Sequence, residues 1–188
     1  MERAIAIATD LFHRRGYDGV GIAELSKQIG ITAPSLYSAF GNKRSLFEKV
    51  LEQYVKNNSG WLVTSLSSSE SLEACIKILF ARAADVYTAD KACLGCLALD
   101  GSRNCGDAGA RALTAGYRKK TWQLIYDRIT ADARSLDEQA ATTLASYVMT
   151  ILLGLSASAR DGNSADELQA VGEIAAAGFS QKLSRLLS

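Results

Sequence analysis

The stretch that decides the fold is residues 12–47, FHRRGYDGVGIAELSKQIGITAPSLYSAFGNKRSLF. It contains two short segments with apolar residues at helical spacing, one on each side of Gly30. Glycine at that point favours a left-handed turn, and Thr32 then offers a hydroxyl N-cap with Pro34 in the first turn after it. Two short helices joined by a tight glycine-containing turn are typical of a helix-turn-helix.

Helical periodicity continues on both sides of this stretch, and no segment alternates in the way that strands require. The sequence therefore predicts an all-α fold. The predicted helices cover residues 2–15, 22–29, 32–40 and roughly 46–55, then roughly 72–88, 107–133, 137–160 and 165–187. The polar run TSLSSSES marks a boundary. We expect an N-terminal three-helix helix-turn-helix domain over residues 1–60 and a larger C-terminal helical domain over residues 61–188.

Composition is that of an ordinary globular protein: 188 residues, 48% hydrophobic, with a net charge of +1. Residues 1–60 carry eight basic and six acidic side chains, which permits DNA binding without requiring it. The apolar stretch Tyr147–Leu155 is too short to span a bilayer, and no export signal is visible, so we expect a cytoplasmic protein with no membrane partner. Its four cysteines are then expected to be reduced thiols.

Residues 12–47 resemble the DNA-binding signature of the tetracycline-repressor (TetR) family. The residues that carry this resemblance are Phe12, Gly16, Tyr17, Ile22, Leu25, Gly30, Ile31, Thr32, Leu36, Tyr37, Phe40, Lys43 and Leu46. The rest of the chain resembles the family more loosely, in GCLALD at 95–100 and GLSASARDG at 154–162. The resemblance implies a transcriptional repressor that binds double-stranded operator DNA as a homodimer and is released by a small-molecule effector, without a cofactor or a metal.

The resemblance also implies roles for individual residues in DNA binding. Ser35 and Ser38 would face base edges in the major groove, and Ala33 and Pro34 would meet thymine methyl groups. Phosphates would be bound by Thr32, Tyr37 and Lys43, together with the N-terminus of the fourth helix. For Tyr37 the alternative is an aromatic packed on that helix.

The predicted recognition helix contains no Arg, Asn or Gln, the side chains that read guanine or adenine through two hydrogen bonds. Specificity is then expected to come from methyl contacts, water and DNA shape, or from Lys27 and Gln28 at the end of the second helix.

The last two helices are rich in Ala, Gly and Ser over 144–159 and 168–187, which permits close helix packing. By resemblance they pair with their symmetry mates and place two recognition helices about 34 Å apart. The alternative is that these small residues pack within one subunit.

An effector pocket needs apolar walls with a few polar groups. Its candidate residues, each of which could instead be core, are Phe80, Tyr87, Cys96, Tyr117, Trp122, Tyr147 and Met149.

Two further interpretations remain open, and a third is not expected. Cys93, Cys96 and Cys105 could form a redox or metal-responsive site, although the sole histidine, His13, lies in the first helix and the thiols also suit a core. A helical interaction module without sequence-specific DNA binding would leave GITAPSLYSAFGNK unexplained. An enzyme is not expected, because the chain lacks GxSxG, a phosphate-binding glycine loop and a usable histidine.

Overall fold

A computed structural model describes residues 1–68 and 70–188. Within those ranges the secondary structure is helical and contains no strand, so the predicted all-α fold is confirmed. The helices are α1 (Glu2–Arg15), α2 (Ile22–Ile29), α3 (Ala33–Phe40), α4 (Lys43–Asn58), α5 (Gly60–Leu66), α6 (Leu72–Thr88), α7 (Leu97–Asp100), α8 (Ala108–Asp132), α9 (Glu138–Arg160) and α10 (Ala165–Leu187).

The chain divides into two compact units. The first comprises residues 1–59 and 96–117, and the second comprises residues 60–95 and 118–188. Segment 96–117, which the sequence placed in the C-terminal domain, therefore packs with the helix-turn-helix. The reason is apolar burial: Leu97 and Ala110 are fully buried in the same cluster as the apolar residues of α1 and α4.

Aromatic residues fill the core of the first unit. The rings of Phe12 and Phe47 meet edge to face with centroids 5.0 Å apart, and Tyr17 stacks on Phe12 at 5.9 Å. Such ring arrangements are energetically favourable for aromatic pairs, and they hold α1 against the beginning of α4. Leu25 of α2 and Leu36 of α3 complete the cluster, and both are fully buried. The four N-terminal helices thus share one core with segment 96–117.

Two short helices, α5 and α7, were not predicted. In α5 the hydroxyls of Thr64 and Ser65 donate to the carbonyls of Gly60 and Trp61, each at 2.8 Å. These local bonds allow a Ser- and Thr-rich segment, which in a sequence is typical of a boundary, to adopt helical geometry. Helix α7 has four residues, which is too short for a periodic pattern to be visible.

The second unit packs α6 against α5, α9 and α10. Gly172 of α10 permits a close approach, because a Cβ there would lie 3.1 Å from the Cβ of Phe80. Helix α9 is long and apolar enough to cross a membrane by length and composition, as the buried helix of a soluble core also is. Its buried residues include Leu144, Val148 and Leu152, and they pack against α6 and α10.

Candidate DNA-binding surface

The turn between α2 and α3 has the geometry that the sequence predicts. Gly30 ends α2 with φ +81° and ψ +32°, and its N–H donates to the carbonyl of Ser26. Thr32 caps α3: its Oγ1 accepts from the backbone N–H of Ser35 at 3.3 Å and lies 2.9 Å from Ser35 Oγ. Pro34 occupies the first turn of α3, where a missing N–H leaves no hydrogen bond unmade.

Helix α3 buries one side and exposes the other. Leu36 and Phe40, four residues apart, point into the core of the first unit. Around them Pro34, Ser35 and Ser38 are exposed, and Tyr37 retains 48% of its surface. The exposed side presents hydroxyls and small apolar groups without an Arg, Asn or Gln side chain. This is a surface suited to methyl contacts and short hydrogen bonds rather than to paired bonds on a single base.

The beginning of α4 forms a second part of the surface. Asn42 caps the helix through its Oδ1, which accepts from the backbone N–H of Ser45 at 2.9 Å. Gly41 before it has φ +82°, a conformation that favours glycine. The uncapped N–H groups and the positive end of the helix dipole at this terminus favour an anionic partner such as a phosphate.

Lys43, the first residue of α4, lies over the ring of Tyr17, with its Nζ 4.2 Å from the ring centroid. Partial burial lowers the pKa of Lys43, while the nearby carboxylate of Asp18 acts in the opposite direction. The Tyr17 hydroxyl donates to Asp107 Oδ2 at 3.0 Å. Burial, and then this hydrogen bond, raise the pKa of Tyr17 well above its ordinary value.

The carboxylate of Asp107, which lies immediately before α8, contacts several groups of the first unit. Its Oδ1 accepts from the backbone N–H of Ala110 at 3.0 Å and lies 3.4 Å from Arg44 Nε. The hydrogen bond from Ala110 is the main reason that the pKa of Asp107 is lowered; the Tyr17 hydroxyl and the Arg44 guanidinium act in the same direction. Gly109 leaves room for Arg44, because a Cβ there would come within 2.7 Å of Arg44 Cδ.

The predicted DNA-binding residues lie on α2, on α3 with its N-cap, and at the start of α4, all within the first unit. Lys27, Gln28, Thr32, Pro34, Ser35, Tyr37 and Ser38 are exposed, while Ala33 and Lys43 are half-buried. Sequence reasoning did not identify Asn42, Arg44 or Asp107. The motif Gly-Asn-Lys contains a signal for the Asn42 cap, but nothing near Asp107 in the sequence indicates its contact with Tyr17, 90 residues away.

The seven candidate effector residues divide between the two units. Cys96 and Tyr117 border the core of the first unit. In the second unit Tyr147 donates to the carbonyl of Ala175 at 2.9 Å, and Trp122 donates to Ser146 Oγ at 3.1 Å. The other three are buried: Phe80, Tyr87, whose ring meets Trp61 edge to face, and Met149.

The cysteines have ordinary packing roles where the structure shows their partners. Cys75 donates to the carbonyl of Ser65 at 3.0 Å, and Cys105 donates to the carbonyl of Asp107 at 3.4 Å. Burial raises the pKa of the Cys75 and Cys96 thiols, which reduces the fraction of reactive thiolate. In the part of the chain that the structure describes, no group of three His, Cys, Asp or Glu residues is arranged to hold a metal ion.

Comparison with known proteins identifies the family. The sequence model of "Bacterial regulatory proteins, tetR family" matches residues 4–50, which contain most of α1, all of α2 and α3, and the beginning of α4. The repressor BdcR of Escherichia coli K12 is 36% identical over 174 residues, which cover 93% of this chain and 86% of BdcR. The chain belongs to the tetR family of bacterial regulatory proteins.

Two further TetR-family proteins resemble this one over most of its length. The repressor ComR of Escherichia coli K12 is 29% identical, over 90% of this chain and 84% of ComR. The structure of a triple cysteine mutant of the TetR-family regulator CifR, bound to 26-bp operator DNA, has a TM-score of 0.83 and 28% identity, over 94% of each chain. Our TetR-family protein is therefore a DNA-binding transcriptional regulator, and its family consists of regulators rather than enzymes.

Proposed function

We propose that this TetR-family protein is a cytoplasmic repressor that binds a palindromic operator as a homodimer and is released by a small-molecule effector. The observation that carries the proposal is the exposed side of α3, placed between a capped turn at Thr32 and a capped helix start at Asn42. Repression is supported by the names of the relatives BdcR and ComR, both transcriptional repressors.

The composition of α3 bears on how the operator is read. Ser35 and Ser38 can exchange hydrogen bonds with base edges, and Ala33 and Pro34 can contact thymine methyl groups. None of these contacts discriminates strongly by itself, so DNA shape and deformability are expected to contribute to specificity. Lys27 and Gln28, exposed at the end of α2, are the longer polar side chains in reach of the same groove.

Selection of genomic fragments on the immobilised protein tests operator binding. Sequencing of the bound fragments is expected to give one roughly palindromic motif, and the labelled motif should bind in a salt-sensitive manner. Tyr37→Ala should weaken binding, whereas Tyr126→Ala, which alters an aromatic of α8 in the second unit, should not. Failure to enrich any motif, together with no binding at about 50 mM salt, would refute the proposal.

The dimer is proposed to form through α9 and α10. Helix α10 exposes Val171 at 50% and Ile174 at 76%. These large apolar side chains are three positions apart and therefore share a face of the helix. Ala177 and Gly178 are exposed on the same helix, so its surface there is free of bulky groups. An exposed apolar helix face bordered by small residues is suited to a two-fold helix pairing.

The effector is proposed to bind in the second unit, where Phe80, Tyr87, Trp122, Tyr147 and Met149 lie. Aromatic rings with hydroxyl and indole N–H groups suit a small apolar molecule with a polar group. Thermal-shift screening of hydrophobic, phenolic and acidic compounds should find ligands that raise the melting temperature and release the operator. Cys96 and Tyr117 remain candidates in the first unit. The effector part of the proposal fails if no compound both binds and loosens the operator complex.

A further inference from the structure

We propose that Asp107 tunes the sequence-independent part of DNA binding, because its carboxylate provides an intramolecular counter-charge to Arg44 at the start of α4. This inference rests on the proposed DNA binding through α3 and α4. By engaging Arg44, Asp107 limits the sequence-independent attraction between the protein and DNA phosphates.

Arg44 lies at the start of α4. It is the second residue of α4 and follows Lys43, at the helix end that favours anions. A guanidinium at this end lies at the positive pole of the helix dipole, an unfavourable place unless an anion is near. In the free protein that anion is Asp107, whose Oδ1 lies 3.4 Å from Arg44 Nε.

The Arg44–Asp107 pair is built into the first unit rather than being a chance surface contact. Asp107 is fixed by the Tyr17 hydroxyl and by the backbone N–H of Ala110. The Arg44 side chain lies against Gly109, where a Cβ would come within 2.7 Å of Arg44 Cδ. Both partners of the ion pair are thus held by neighbours that do not depend on the pair itself.

Counterion release connects this ion pair with the affinity for DNA. A side chain that neutralises a DNA phosphate displaces condensed cations and steepens the salt dependence of binding by about 0.9 in the log–log slope. An arginine already neutralised by an internal carboxylate does not add this contribution. Asp107 therefore lowers the salt-dependent affinity for DNA of any sequence without touching a base.

The test measures fluorescence anisotropy of a labelled mixed-sequence duplex between about 50 and about 250 mM KCl. Asp107→Asn keeps an oxygen for the Ala110 N–H and removes the charge. It is expected to bind the duplex about fivefold more tightly at about 100 mM salt, with a slope steeper by about 0.9. The matched control is Asp10→Asn, which removes the same charge from an exposed ion pair with Arg14 on α1 and should leave the slope unchanged.

The first measurement of a second arm, on Arg44→Gln alone, does not depend on the folding of an Asp107 variant. Arg44→Gln in the otherwise unchanged protein should leave the slope as it is, and in the Asp107→Asn background it should return the slope to the original value. The inference is overturned if Arg44→Gln alone lowers the slope by about 0.9, or if folded Asp107→Asn binds no more tightly than Asp10→Asn. If the unaltered protein does not bind DNA at all, it is the proposed function that fails.

Discussion

The ammonium nitrogen of Lys43 lies 4.2 Å from the centre of the Tyr17 ring. The ring supports the charged group at the start of α4, where the helix dipole also favours a phosphate. Lys43→Gln should therefore weaken DNA binding and lower the log–log salt slope by about 0.9. Lys56→Gln, the same change in the last turn of α4, is the control. Equal slopes for the two variants in anisotropy titrations would show that Lys43 does not contact phosphate.

Gly30→Ala should reduce the stability of the protein. Its φ of +81° lies in the left-handed region, while the space around its Cα is open, so the cost is conformational. We expect the free energy of unfolding to fall by about 1 kcal/mol. Gly116→Ala, within α8 and also with open space around it, should instead raise it by about 0.5–1 kcal/mol. Urea unfolding measures both, and similar effects of the two substitutions would contradict the assignment of the turn.

Gly30 and Lys43 show what the sequence could and could not predict. Gly30 and the Thr32 cap were predictable because a turn and a helix start depend on residues within three or four positions. Lys43 lies over the ring of Tyr17. The hydroxyl of Tyr17 in turn donates to Asp107, which is 90 residues away along the chain. No local pattern records a partner at that distance, so the acidic residue of the site was missed.

The same limit applies to the apolar residues of the proposed effector site. Periodicity indicates which face of a helix is buried but not which helix covers that face. Phe80 and Cys96 were therefore grouped by residue type, yet Phe80 lies in the second unit and Cys96 in the first. Residues 96–117 join the helix-turn-helix because Leu97 and Ala110 fit its aromatic core, and sequence order gives no indication of that fit.

Acid should weaken the N-terminal cap of α10. Glu167 accepts a hydrogen bond from the backbone N–H of Ser164 at 2.7 Å, and this bond is the main cause of its lowered pKa. A carboxyl with a lowered folded-state pKa stabilises the protein above its ordinary pKa, and the stabilisation is lost as pH falls through the folded value. In Glu167→Gln the free energy of unfolding should therefore differ less between about pH 7 and about pH 3 than it does in the unaltered protein. Glu173→Gln, exposed on the same helix, should retain the original difference.

The cysteines should differ in their reaction with iodoacetamide. Cys75 and Cys105 are buried, and burial raises the pKa of Cys75 and Cys96. Since the thiolate is the nucleophile, the half-buried Cys93 is expected to be labelled first at about pH 7.5, and Cys75 only after unfolding. Mass spectrometry of the labelled peptides gives the order. Faster labelling of Cys96 or Cys105, with loss of DNA binding, would favour the thiol-based alternative.

Ile174→Glu should separate the proposed dimer and weaken operator binding. Ile174 retains 76% of its surface in the single chain, so the substitution costs little in a monomer. In a two-fold interface it would bury two unpaired carboxylates, which is strongly unfavourable. Analytical ultracentrifugation should show a folded monomer, with operator affinity reduced at least about tenfold because the two half-sites are no longer bound together. Leu124→Glu, the same change at a side chain of α8 that is 42% exposed, should remain dimeric. If Ile174→Glu sediments as a dimer, α10 does not form the interface.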